Sequence, residues 1–141
     1  MIIPNKHRWS RWVLGFLAIA GMAVLYIFQR KLLWFQVLPD QFHYLTFILN
    51  RCTRLIVNDA LCLLLFVAIF NNTSEVKLAS LIFIIELFLI LPIYFLLKLN
   101  LEGDSEISSP LLSFIHRLVV NPLLMIILLV GLLYQKYRLR K

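Results

Sequence analysis

Four long apolar runs alternate with short polar stretches along the chain. They cover about residues 12–28, 55–70, 78–97 and 118–134. The first carries no charge, the second is interrupted by Asn58 and Asp59, the third by Glu86 and Pro92, and the fourth has Asn121 and Pro122 near its start. Each passes the test of roughly 17–25 predominantly apolar residues for a helix that crosses a bilayer. Lipid leaves no partner for an unpaired backbone group, and runs such as LIFIIELFLILP lack the alternation of a transmembrane strand. The pattern predicts an all-α integral membrane protein, a single-domain four-helix bundle.

Composition agrees. Of 141 residues, 62% are hydrophobic and 15% are charged. A soluble domain carries about 45–50% apolar and about 25% charged residues, and one small core could not hold this excess. The lipid bilayer is the expected partner of most of the surface. The first run has a basic start and a cleavage-like Ala18-Ile19-Ala20, yet stays apolar beyond it, so an uncleaved span is expected. Four spans place both termini on one side. That side collects eight Lys and Arg (Lys6, Arg8, Arg11, Lys77, Lys136, Arg138, Arg140 and Lys141), against six on the other (Arg30, Lys31, Arg51, Arg54, Lys98 and Arg117). The positive-inside rule then points both termini to the cytoplasm. The net charge of +7 reads as membrane-flanking charge, and no nucleic-acid partner is expected, because no basic face is interleaved with aromatics in a soluble unit.

Candidate chemistry gathers at a near-repeat. RLIVND begins at Arg54 and RLVVNP at Arg117, each where a polar segment meets an apolar run. On a helix, Arg54 and Asn58 share a face, as do Arg117 and Asn121, and Arg51 lies one turn before Arg54. A duplicated helix pair and two similar helix starts both remain open. The arginines can reach headgroups and the asparagines can join helices. Asp59, one or two turns into hydrocarbon, needs a partner; Arg117 or Arg51 is the expected one. Glu86, near mid-span, is expected to be protonated or paired across helices, and Pro92 to kink its helix. Cys52, Arg54 and His116 resemble a nucleophile, an anion stabiliser and a base, although Cys52 lacks an activating helix start or glycine turn. Ten helical residues separate Cys52 from Cys62 by about 15 Å, too far for a disulfide. The histidines show no metal spacing, and no pattern predicts a cofactor. Glu102, Asp104 and Glu106 read as a solvated loop. Asn72-Thr73-Ser74 would accept a glycan only in a eukaryotic lumen.

The segments LNRCTRLIVNDALC (residues 49–62) and FIHRLVVNPLLM (residues 114–125), with a basic tail after LLYQK, resemble the exosortase F system-associated membrane proteins of the Bacteroidetes. The resemblance covers the length and most of the chain. It implies a small four-span inner-membrane accessory of an exosortase-type transpeptidase, with no catalytic residues of its own. The motifs of the sorting enzyme itself are not found around Cys52 or His116. Two functions are therefore in view. One is a non-enzymatic accessory that docks the sorting enzyme or its substrate's tail. The other is a small membrane enzyme or transporter-like protein using Asp59, Glu86 and the arginines for a proton or an anionic substrate.

Overall fold

The computed structural model of the chain describes residues 6–28, 43–70, 73–103 and 108–139. Among these, the elements are α1 (Lys6–Phe28), α2 (His43–Ile69), α3 (Thr73–Ile85), a π turn (Glu86–Ile90), α4 (Leu91–Leu101), α5 (Pro110–Val120) and α6 (Leu123–Arg138), with no strand. Three unbroken stretches are long and apolar enough to cross a membrane: Trp9–Phe28, Tyr44–Ile69 and Thr73–Leu101. The pair α5 and α6 meets the same test together, bent by 67° between them. The fold is the expected all-α membrane bundle. Asn72, Asp104, Glu106, Arg30, Lys31, Arg140 and Lys141 lie outside the described residues.

Small residues let α1 lie along α2. A Cβ on Gly21 would sit 3.1 Å from a Leu61 methyl, and one on Gly15 would sit 3.4 Å from Ala68. Close approach of backbones is the usual route to helix association in lipid, where apolar surface alone gives no drive. Arg11 Nε donates to Ala68 O at 3.1 Å, and Lys136 Nζ lies 5.3 Å from the centre of the Phe70 ring. The starts of α1 and α3 and the end of α6 therefore share one end of the bundle. Exposed Trp9, Trp12, Tyr134 and Tyr137 surround that end, while Tyr26 and Tyr44 mark the other. Trp9 and Tyr26 are about 26 Å apart along α1, close to the hydrocarbon thickness that aromatic belts bracket.

Two boundaries differ from the sequence reading. The second helix starts at His43 rather than near residue 55. Residues 43–54 look polar, but two of their polar side chains turn back onto the helix: Thr53 Oγ1 donates to Leu49 O at 2.8 Å and Arg51 lies 5.4 Å from the centre of the Phe47 ring. Arg54 to Asp59 is thus mid-helix, and Asp59 lies near the centre of a span rather than one or two turns in. The fourth helix is not continuous from residue 118. Asn121 is extended (φ −115°, ψ 141°) and closes α5 through its N–H to Arg117 O. Pro122 (φ −76°, ψ 54°) then forms an inverse γ-turn, with Leu123 N–H on Asn121 O at 2.7 Å. Proline drives the preceding residue out of the α region. The near-repeat therefore diverges at its last residue: Asp59 lets the helix continue, and Pro122 ends it.

Candidate functional site

The buried face of α2 runs through Leu55, Asp59, Cys62 and Phe66 and on to Phe70 just past its end, in steps of three and four. The opposing face carries Ala79, Glu86, Leu91, Tyr94 and Lys98. The step from Glu86 to Leu91 is five, which an α-helix would turn about 140° out of line. The π turn absorbs the extra residue, with Leu91 N–H bonded to Glu86 O. Pro92 explains its place, since proline lacks the N–H and clashes with the carbonyl four residues back. The kink expected at Pro92 is thus a local widening that begins at Glu86. Such single π turns are frequent at functional sites.

That geometry puts two acids at the centre of the bundle. Asp59 is 2% exposed and Glu86 1%. They lie between two apolar clusters, one around Leu55, Leu91, Tyr94, Leu112 and Val119, the other around Cys62, Phe66, Phe70, Ala79 and Met125. The two carboxyl groups face each other across α2 and the π turn. Among the described residues, neither Glu86 oxygen, nor Asp59 Oδ2, has a hydrogen-bond partner. Cys62, one turn from Asp59, is near enough to feel both, and its Sγ lies 3.9 Å from Met22 Sδ. No group of three metal-binding side chains occurs among the described residues.

A second polar cluster occupies the end of the bundle away from the termini. Tyr94 OH and His116 Nδ1 share a hydrogen bond of 2.8 Å. Arg51, Arg54 and Lys98 are close enough to the imidazole for their charge to act on it. Lys98 is itself buried and donates to Glu102 Oε2 at 3.3 Å. Glu102 Oε1 accepts from the N–H groups of Ser108 and Ser109 at 2.9 and 3.0 Å and from Ser108 Oγ at 2.8 Å. Burial alone would push the Glu102 carboxyl up, but these donors outweigh it and hold the group at about 2. The stretch expected to be a plain solvated loop is, at Glu102, a tied-down helix end. Gly103 (φ +56°) makes the left-handed turn there.

Of the residues singled out from the sequence, Asp59 and Glu86 come together, as do Arg51, Arg54 and His116. The expected pairing of Asp59 with Arg117 or Arg51 is corrected: Asp59 is buried against Glu86, Arg117 is exposed on α5, and Arg51 turns to Phe47 and Tyr94. Arg117 and Asn121 do not form a helical face, because α5 ends at Asn121. Asn58 is half-buried on α2. Cys52 packs against the Leu55 and Tyr94 cluster. Tyr94 and Lys98 were missed. Both lie on the Glu86 face only once the π turn is counted, and an apolar run with a single proline gives no explicit sign of one.

No family model, curated protein or solved structure matches the chain.

Proposed function

We propose that the chain is a non-enzymatic, multi-pass accessory of an exosortase-type protein-sorting system in a bacterial inner membrane. Both termini face the cytoplasm, and the opposite end docks the sorting enzyme or its substrate's tail. The resemblance of residues 49–62 and 114–125 to exosortase-associated proteins supports the system. The docking role is supported by α5: Leu111, Phe114 and Arg117 are all exposed and recur every third residue, within a face about 120° wide. The far side of α5 is spent on packing, through Leu112, His116 and Val119. An apolar face carrying one guanidinium suits a partner helix with an acidic or polar group at its end. The groups that could do chemistry are otherwise engaged, His116 with Tyr94 and Cys52 with apolar neighbours.

The test is complementation of a deletion strain, followed by cleavage of the substrate's sorting tail. Wild type, Cys52→Ala and His116→Ala should restore processing. Phe114→Glu with Arg117→Glu should accumulate in the membrane without restoring it. Intact processing in the deletion strain would overturn the role in sorting. A loss of about 100-fold from both Cys52→Ala and His116→Ala, about 2.7 kcal/mol on a rate scale, would overturn the non-enzymatic reading.

A further inference from the structure

Asp59 and Glu86 pose a hydrogen-bonding problem that the rest of the bundle does not solve. An ionised carboxylate only accepts hydrogen bonds. Two facing carboxylates can bond each other only if a proton lies between them. Among the described residues, three of the four carboxyl oxygens are buried without a partner. Charge near the centre of a membrane helix is costly even singly, and two like charges in contact add repulsion. Among the described residues, Cys62 on α2 is a further titratable group within reach of both. Lys98 and His116 act at the Tyr94 end, with Tyr94 eight residues beyond Glu86 along α3–α4. A metal ion would want more oxygen ligands than two side chains supply, and among the described residues no third ligating side chain joins them.

We propose that Asp59 and Glu86 form one proton-binding site at the centre of the bundle. One proton is held between the two carboxyl groups: the acid O–H of one donates to the carboxylate of the other, leaving a single shared negative charge. Acid pairs that share one proton because both cannot ionise together are well established in aqueous enzymes. Glu86 is the first residue of the π turn, whose closing bond runs five residues back from Leu91 N–H to Glu86 O. This site is independent of the docking face on α5.

Infrared spectroscopy of the full chain in detergent at neutral pH reads the proton directly, as a carboxylic-acid carbonyl band that shifts in D2O. Wild type should show one such buried group per chain, and Asp59→Asn with Glu86→Gln should lack it. Absence of the band in wild type, two protonated groups per chain, or a band that survives in the double variant would each overturn the proposal. Replacing K+ by Na+ should leave the band unchanged; its loss in Na+ would mean that the pair takes an alkali cation instead. A measurement on unmutated protein guards against a variant that does not fold. Dicyclohexylcarbodiimide attacks protonated carboxyls in apolar surroundings, and peptide mapping should find Asp59 or Glu86 labelled, at most once per chain. No label at either residue would count against the site as firmly as a missing band.

Discussion

The π turn offers a test in which removing a residue from a membrane helix should be tolerated. Glu86 and Leu91 are both buried and lie five residues apart. Four residues of α-helix turn about 400°, only about 40° from alignment, whereas five leave about 140°. The turn thus holds one residue more than the register needs. Deleting Leu89, which is 56% exposed, should convert it to regular helix and keep Leu91, Tyr94 and Lys98 on the inner face. Pro92→Ala must accompany the deletion, because proline inside a regular helix costs about 3 kcal/mol. Deleting Leu81, 52% exposed, is the contrast. It should turn everything after it by about 100° against Ala79 and carry Tyr94 out of the core. Loss of one buried aromatic costs about 3–5 kcal/mol, against a total stability of about 5–15 kcal/mol. Protein lacking Leu81 should therefore not accumulate in folded form. Protein lacking Leu89 with Pro92→Ala should stay monodisperse in detergent and melt within a few degrees of wild type. Equal damage from the two deletions would refute the register argument.

Other consequences are local. Gly21→Leu should loosen α1 from α2, costing about 1–3 kcal/mol in overpacking, whereas Gly131→Leu, with nothing within 4 Å of its new Cβ, should be neutral or stabilising by up to about 1 kcal/mol; thermal unfolding in one detergent separates them. Glu102 has its carboxyl held at about 2 against an ordinary 4.5, so the unfolded chain takes up the proton first. The stability it contributes is full above pH 4.5 and is lost as pH falls toward 2. Glu102→Gln should flatten that part of the stability–pH curve. Arg117→Leu, at an exposed position, should change stability by no more than about 0.5 kcal/mol; a loss of several kcal/mol would mean that this guanidinium has a buried partner.

The spans were legible because lipid imposes one rule on every backbone group, and long apolar runs can obey it only as helices. The early start of α2 was not, since Asn50, Arg51, Thr53 and Arg54 read as a loop until Thr53 is seen to bond back to Leu49 and Arg51 to lie over Phe47. The break after α5 was written in Asn121-Pro122, which favours an extended residue before proline, but the apolar residues on both sides suggested one continuous helix. Asp59 and Glu86 could each be recognised as needing a partner. Their meeting could not, because it depends on how α2 and α3 are rotated about their axes, and two like charges give no sign of that rotation. Like charges are also the pairing that simple complementarity argues against, which is why Arg117 looked the better partner.

The meeting of Asp59 and Glu86 at the core carries the whole reading of the site, and a double-mutant cycle measures it most directly. Asp59→Leu, Glu86→Leu and the double variant should be compared by thermal or denaturant unfolding in one detergent. Each single change leaves a lone acid against a leucine. The double change gives two apolar side chains in contact, a replacement that is often neutral or stabilising for buried charged groups. The double variant should therefore be more stable than the sum of the singles allows, with a coupling of about 0.5–3 kcal/mol for residues in contact. Losses that add to within about 0.3–0.5 kcal/mol, the behaviour of distant sites, would mean that the two carboxyl groups do not meet.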